Sequence, residues 1–124
     1  MRYMMLIYSR EDDSATPDQL QQIAAAHGVV MEEAARRGIL RAAEPLAASS
    51  TATTVRLEDG HVLLTDGPFA ETKEQLAGYY ILDCEDLDEA LEWAAKIPTA
   101  CQGAPGAIEI RPIREIRTPA RLNG

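Results

Sequence analysis

The dipeptide Asp59-Gly60 constrains the fold of this chain most strongly, because Asp-Gly is a preferred two-residue turn between antiparallel strands. Residues 53–58 and 61–65 flank it and are rich in β-branched and apolar side chains. A two-residue turn fixes the pairing register, so Thr53 is expected to lie opposite Asp66. The sequence therefore predicts a β-hairpin with a defined register.

One face of this hairpin is predicted to be mostly apolar. Strand side chains alternate, and the register places these side chains on the same face: Val55, Leu57, Val62, Leu64 and Asp66. Because four of these are apolar, we expect this face to point toward the core. Asp66 would then be directed inward, where a carboxylate requires hydrogen-bond partners. His61 lies on the opposite face beside the turn and is expected to be exposed.

Further segments of the chain also have strand character. Short apolar runs predict strands at 2–8 and 78–84, and alternating apolar and charged residues predict a half-exposed last strand at 107–113. A short or irregular strand is expected within 39–47. Pro112 suits an edge strand or a strand end, because proline has no N–H group to donate.

Two helices are predicted from capping signals. The first is expected to begin after Thr16, which forms a capping box with Gln19, and to end before Gly38. The second is expected to begin after Asp86 and to end before Pro98. The apolar stripe of the first helix comprises Leu20, Ile23, Ala24, Val30, Met31, Ala34 and Ala35. That of the second comprises Leu87, Ala90, Leu91, Ala94 and Ile97, with Trp93 on its flank.

The order of these elements predicts a single α+β domain over residues 1–124. Two strand–helix units in one short chain suggest a ferredoxin-like antiparallel sheet with both helices on one face. Such a sheet leaves its other face uncovered. In a domain this small, pairing the sheets of two copies into a homodimer is a natural way to cover that face.

Composition and charge exclude several partners. The formal charge of −8 disfavours nucleic acid, because phosphate binding requires clustered cations. Four arginines occur late in the chain, at Arg111, Arg114, Arg117 and Arg121, and are interpreted as part of a solvated or interface-covering surface. Approximately residues 113–124 are expected to be a C-terminal tail. Because no apolar run approaches the length of a membrane span, we expect no membrane partner.

The two cysteines, Cys84 and Cys101, have no metal-ligand spacing around them. We expect both to be reduced thiols in a cytoplasmic protein, with Cys84 buried in a strand; a disulfide between them is the less favoured alternative. Neither histidine has a partner at i+4, and the glycines do not form a phosphate-binding pattern. The sequence therefore predicts no metal and no cofactor.

His27 is the first candidate for chemistry, because it falls on the apolar stripe of the first helix. One interpretation is a histidine at the edge of the core with one satisfied ring nitrogen. The other is a general acid or base, since unperturbed imidazole titrates at about pH 6.5. The neighbouring Gly28 weakens a helix and suggests close approach of another group there.

The segment 66–74, with the sequence DGPFAETKE, combines turn formers, an aromatic ring and four charges. Gly67-Pro68 restricts the backbone and marks a turn. Thr72 and Gln75 have the spacing of a capping box, which predicts a helical turn. Such a mixture is unusual for a simple connection between two strands.

The segment 66–74, followed by Gly78-Tyr79-Tyr80, resembles the signature of the YCII-related family in its DGPF-domain branch. The resemblance covers most of the chain and implies a dimeric α/β barrel of two ferredoxin-like subunits whose sheets face each other. It implies bacterial, cytoplasmic relatives, some encoded beside sigma factors, in a superfamily that includes cofactor-free isomerases and dehydrochlorinases. It also implies a His-Asp pair in a pocket, for which His27 and Asp66 are the matching residues.

Two functions are compatible with these features. The first is a cofactor-independent enzyme in which His27 and Asp66 perform acid/base chemistry on a small organic substrate. Lys73 and Glu71 would then lie near the entrance, although exposed charges are the simpler interpretation of both. The second is a non-catalytic ligand-binding or regulatory dimer, linked to a sigma factor, in which Asp66 only caps its own turn.

Overall fold

The computed structural model describes residues 1–11, 14–99 and 106–116. Its elements are β1 (Arg2–Ser9), α1 (Pro17–Arg36), β2 (Leu40–Pro45), β3 (Thr53–Glu58), β4 (His61–Asp66), β5 (Gln75–Asp83), α2 (Leu87–Ala94) and β6 (Gly106–Pro112). A short 3-10 turn, Ser49–Thr51, precedes β3. All the predicted strands and both main helices are present, with bounds shifted by a few residues.

Four of the strands form one sheet in the order β2-β5-β1-β6, and every neighbouring pair is antiparallel. This is the ferredoxin-like order. Side chains of α1 and α2 pack in the same cluster against one face of the sheet. The predicted α+β class with both helices on one face is therefore confirmed. β6 lies at the edge and ends at Pro112, as the proline indicated.

Alternate residues of the two central strands form the buried face of this sheet. Met5 of β1 lies opposite Tyr80 of β5, and Tyr3 lies opposite Leu82. The core comprises Tyr3, Met5, Ile7, Val30, Ala34, Tyr80, Leu82, Cys84, Ala90, Trp93 and Ile97. Full burial of one large apolar side chain contributes roughly 1.5–3 kcal/mol, so this cluster is the main source of stability.

Both helices begin where their capping residues predict. The Thr16 hydroxyl accepts a hydrogen bond from the Gln19 N–H at 3.2 Å, and the Gln19 side chain accepts one from the Thr16 N–H at 2.9 Å. The Asp86 carboxylate accepts the Glu89 N–H at 2.9 Å. Gly38 follows α1 with a φ of 74°, a left-handed conformation that glycine adopts readily.

The buried faces of the helices differ from the predicted stripes. In α2, Leu87 and Leu91 are each 51% exposed, whereas Trp93 is 3% exposed. Burying an indole removes more apolar surface from water than burying a leucine, so the tryptophan face packs on the sheet. In α1, Leu20 is 53% exposed, and Ala24 and Ala35 are exposed too. The predicted stripes are wrong at these positions.

The hairpin β3–β4 forms a separate two-stranded sheet with the predicted register, from Glu58 opposite His61 to Thr53 opposite Asp66. The prediction that its apolar face points to the core is wrong. The apolar side chains of that face are between 60% and 75% exposed: Val55, Leu57, Val62 and Leu64. Asp66 is exposed as well. Register decides which side chains share a face, but covering that face requires a further element.

The segment that follows β4 is not helical, so the helical turn predicted from Thr72 and Gln75 is wrong. Gln75 is the first residue of β5 and pairs with Ser9, which requires an extended backbone. Its side-chain amide donates to the carbonyl oxygen of Thr72 at 3.0 Å and to that of Ala70 at 3.3 Å. The two residues do interact, but they close a loop.

Two of the predictions concern residues outside the described ranges, namely Cys101 and the tail beyond residue 116. Residues 113–116 have no regular secondary structure. The Arg2 guanidinium donates to both carboxylate oxygens of Glu115, at 2.8 and 3.0 Å. This pair holds the start of the predicted tail against β1.

Candidate functional site

A cavity of about 560 Å³ lies between α1 and the sheet, where β1 and β2 end and β5 begins. Its walls are mostly apolar and include Ile7, Leu20, Ile23, Ala24, Met31, Ala43, Leu46 and Ala77. A concave apolar site of this size, with a few polar groups, is typical of pockets for small organic ligands.

Gly78 helps to explain why α1 and the sheet leave space here. It lies on β5 opposite Ile7, two residues before Tyr80, and so on the helix-facing side of the strand. A Cβ atom added there would lie 2.8 Å from the Glu44 carbonyl oxygen of β2. The close approach of β2 therefore requires glycine at position 78. As a result, this position in the cavity wall carries no side chain.

His27 of α1 lines this cavity and is half-buried. Its Nδ1 atom lies 2.8 Å from the phenolic oxygen of Tyr80, a buried residue of β5. The same hydroxyl lies 3.4 Å from the backbone carbonyl oxygen of His27. A helix and a strand therefore position the imidazole together, and Tyr80 lines the cavity beside it.

The second ring nitrogen of His27, Nε2, is not engaged by Tyr80. Within the described part of the chain, it has no hydrogen-bond partner. No side-chain nitrogen or oxygen in the same residues is both fully buried and without a partner. Nε2 is therefore accessible, and it belongs to a residue that lines the cavity.

Burial keeps this pair neutral near pH 7. It lowers the pKa of His27 below the ordinary value of 6.5, because the charged imidazolium loses hydration. It also raises the pKa of Tyr80 to about 12, so the phenol retains its proton. The site thus presents an uncharged imidazole supported by an uncharged phenol.

Charged side chains occur around the cavity and are exposed, namely Arg10, Glu11 and Glu44. The Glu11 carboxylate accepts hydrogen bonds from the Ser49 hydroxyl and, at 2.9 Å, from the Ser49 N–H. These bonds hold the pKa of Glu11 below its usual range. They also tie the end of β1 to the turn that precedes the hairpin.

Residues 1–117 match the YCII-related domain family. The chain belongs to this family. A curated relative, "Uncharacterized protein R00369" of Rhizobium meliloti (strain 1021), is 34% identical over 115 residues. The alignment covers 91% of this chain and 92% of the relative. That relative is itself uncharacterised, so it supplies no activity for this YCII-related protein.

A solved structure is also similar to this YCII-related protein. It is 5-chloro-2-hydroxyhydroquinone dehydrochlorinase (TftG) from Burkholderia phenoliruptrix AC1100, in complex with 2,5-dihydroxybenzoquinone. The likeness has a TM-score of 0.48 and 14% sequence identity, and it covers 92% of this chain and 94% of the other. At this level of similarity, no conclusion about activity follows from it.

The YCII-related fold places the sequence-predicted site residues in two regions. His27 lines the cavity, whereas Asp66, Glu71 and Lys73 are exposed residues in or just after the hairpin and do not line it. Within one chain the structure does not bring Asp66 to His27. The imidazole is hydrogen-bonded to Tyr80 instead.

Sequence reasoning missed Tyr80 as a functional residue, although two signals pointed to it. Strand alternation places Tyr80 on the same side of β5 as Leu82, which is the core side. A tyrosine whose ring is buried usually directs its hydroxyl to a hydrogen-bond partner. His27 on the facing helix stripe was the polar group available to meet it.

Other reactive groups contribute little to this site. Across residues 1–11, 14–99 and 106–116, no three His, Cys, Asp or Glu side chains are grouped so that they could hold a metal ion. Burial raises the pKa of the Cys84 thiol to about 11, which keeps it protonated. None of the described helices is both long and apolar enough to cross a membrane.

Proposed function

We propose that this YCII-related protein is a cofactor-independent enzyme that performs acid/base chemistry on a small organic substrate in the cavity. The observation that carries the proposal is the half-buried imidazole of His27, which lines a mostly apolar cavity and whose Nε2 is accessible. Because Nδ1 is bonded to Tyr80, protons would be exchanged between the imidazole and a substrate at Nε2. Such a group suits reactions in which a proton moves within one substrate.

The cavity also supports the choice of substrate class. Its volume of about 560 Å³ accommodates a small ring compound, and its walls are mostly apolar. The charged groups around it comprise one arginine and two glutamates, so an anionic substrate gains little there. We propose an uncharged or weakly acidic cyclic compound.

Asp66 remains a sequence-based candidate for the acid partner of His27, and Lys73 and Glu71 for the entrance. All of them are exposed and lie away from the cavity lining of the single chain. Their predicted roles would require contact with a second copy or a rearranged hairpin. An Asp66→Asn variant with unchanged turnover would remove Asp66 from the mechanism.

We further propose that the protein acts as a homodimer in which two sheets pair face to face. The face opposite the helices carries large apolar side chains that are only half-buried in one chain, namely Met4, Leu6, Tyr79 and Ile81. A second copy would cover them. Sedimentation equilibrium tests this, because a monomeric mass at micromolar concentration would contradict it.

The finer classification is also a proposal. The sequence Asp66-Gly67-Pro68-Phe69 supports placement in the DGPF-domain branch of the family. A cytoplasmic location is supported by the free thiol of Cys84.

A second candidate function is a non-catalytic ligand-binding or regulatory dimer, linked to a sigma factor. It is favoured by the identity of the group bonded to His27, which is a phenol. A neutral phenol does not raise the basicity of imidazole as a carboxylate would. On this reading the cavity binds a ligand without converting it.

A turnover screen of unsaturated lactones and chlorinated phenols would test the enzymatic proposal. Loss of a general acid or base lowers the rate by about 10²- to 10⁴-fold, so His27→Ala should abolish any activity found. His61→Ala is the matched control, because His61 lies exposed at the hairpin turn. Equal activity of wild type and His27→Ala would favour the ligand-binding alternative.

A further inference from the structure

The hydroxyl of Tyr80 has two possible acceptors, and both belong to His27. One is the Nδ1 atom at 2.8 Å, and the other is the backbone carbonyl oxygen at 3.4 Å. The residue is 3% exposed, so its hydroxyl proton must be satisfied within the protein. Which acceptor it uses decides which imidazole nitrogen carries the proton.

The distances favour Nδ1 as the acceptor. Hydroxyl hydrogen bonds are commonly about 2.7–2.8 Å long, which matches the contact with Nδ1 and not the contact with the carbonyl. The carbonyl also lies within α1, where it accepts an intrahelical hydrogen bond. The phenol is therefore the donor, Nδ1 is the acceptor, and the neutral ring carries its proton on Nε2.

We infer that Tyr80 is a positioning residue that holds His27 as the Nε2–H tautomer, so that the cavity offers a hydrogen-bond donor to the carbonyl oxygen of an uncharged ligand. This inference deepens the proposed function and rests on it, because it assigns a ligand class to the same cavity. A donor among mostly apolar walls favours a ligand that brings an acceptor to it, because a polar group buried there without a partner loses its hydration.

The charged neighbours of the cavity do not compete for this role. Arg10, Glu11 and Glu44 lie around it and are exposed, and Glu11 is bound to Ser49. In the described chain, Tyr80 is the one residue whose side chain is hydrogen-bonded to the His27 ring. The neutral phenol also disfavours protonation of Nδ1, because the imidazolium would need Nδ1 as a donor.

The tautomer can be measured without any substrate. Long-range proton–nitrogen correlation spectra of nitrogen-15-labelled protein should show His27 with an unprotonated Nδ1 and a protonated Nε2. In Tyr80→Phe, which keeps the aromatic ring in the core, the His27 signals should shift toward a mixture of tautomers and the His27 pKa should rise. Tyr79→Phe is the matched control, because Tyr79 lies on the opposite face of β5 and should leave these signals unchanged.

Acetophenone and ethylbenzene are suitable probes of the ligand class. They have similar shapes, and only acetophenone carries a carbonyl oxygen. One neutral hydrogen bond corresponds to about 2- to 10-fold in affinity, so acetophenone should bind more tightly by this factor and shift the Nε2 signal. In His27→Leu the difference should disappear.

Three results would overturn the inference. They are a wild-type His27 protonated at Nδ1, an unchanged tautomer in Tyr80→Phe, and an affinity for acetophenone no greater than that for ethylbenzene. Failure of the proposed enzymatic function would look different. The tautomer and the preference for acetophenone would be as expected, but no tested lactone or phenol would be converted.

Discussion

The central strand β5 and the hairpin β3–β4 both carry apolar side chains and have opposite environments. Each presents apolar side chains on one face, and each is paired in an antiparallel ladder. Leu82 of β5 has no exposed surface, whereas Leu57 of β3 is 75% exposed. Strand β5 lies beneath α1 and α2, and the apolar face of the hairpin lies open. Alternation therefore determines which side chains share a face, and a second element determines whether that face is buried.

The comparison also concerns the origin of stability in each region. The four-stranded sheet and its helices share one buried cluster. An isolated two-stranded hairpin is marginally stable in water, because it has few contacts beyond its own ladder. Here the Gly67 N–H donates to the Ala52 carbonyl oxygen at 2.7 Å and closes the base of the hairpin. The hairpin should therefore be the easier region to open.

The largest expected effect is on the free energy of unfolding, in a matched pair of leucine substitutions. Leu82→Ala should cost about 2–5 kcal/mol, because it removes buried methyl groups and leaves a cavity. Leu57→Ala should change the free energy by less than about 0.5 kcal/mol, because that side chain is exposed. Urea denaturation followed by circular dichroism measures both.

A larger cost for Leu57→Ala would break this comparison. A loss above about 1 kcal/mol would mean that another surface covers the hairpin in solution. If that surface belongs to a second copy of the chain, the loss should grow with protein concentration. Measurements at two protein concentrations therefore separate a covered hairpin from an open one.

A smaller effect is expected for a pair of glycines that both border the His27 region. Gly78→Ala should destabilise the protein by about 1–3 kcal/mol, because its Cβ would meet the Glu44 carbonyl oxygen at 2.8 Å. Gly28→Ala should stabilise it by about 1 kcal/mol, because the site is helical and its Cβ would meet nothing within 4 Å. Thermal unfolding should show shifts of opposite sign.

The Gly28→Ala variant also tests an expectation drawn from the sequence. Gly28 suggested that another group approaches α1 closely, yet the described chain leaves that position open. A destabilising Gly28→Ala would show that such a group exists in solution, for instance in an assembled dimer. A stabilising one would show that Gly28 is only a weak point of the helix.

Local signals predicted the elements of this fold well. The capping pairs at Thr16 and Asp86 and the turn at Asp59-Gly60 depend on neighbours within a few residues, and the structure has all of them. The burial of Trp93 and the exposure of Leu57 depend on which elements pack together. No pattern within one segment contains that information.

The candidate site also divides into features that local sequence predicts and features that depend on packing between elements. His27 was identified because its position on a helix stripe is a local property. Its partner Tyr80 is 53 residues away, and the contact depends on how α1 crosses the sheet. The hairpin register led to the expectation that Asp66 points inward. The register itself is correct, since Thr53 lies opposite Asp66. The prediction failed at the next step, because a shared apolar face is not necessarily a buried one.

The smallest expected effect is on the pH dependence of the unfolding free energy. It should differ between His27, beside the four-stranded sheet, and His61 of the hairpin. The folded-state pKa of His27 is lowered from its ordinary value of 6.5 by burial. As the pH falls through about 6.5, the unfolded chain takes up a proton before the folded protein does. The contribution of His27 to stability is therefore present above pH 6.5 and is lost as the pH falls toward the folded-state pKa. One proton cannot change the free energy by more than about 1.4 kcal/mol per pH unit.

His27→Gln should therefore flatten the decline of the unfolding free energy between pH 7 and pH 5.5, measured by urea denaturation at several pH values. His61→Gln removes the exposed histidine of the hairpin and should retain the decline. The carboxylates whose pKa is lowered by hydrogen-bonded ion pairs act at lower pH, namely Glu33, Asp83 and Glu115. An equal slope in wild type and His27→Gln would mean that the imidazole is as well hydrated in the folded protein as in the unfolded chain. The cavity beside it would then be filled with water, and the comparison between a buried and an exposed histidine would fail.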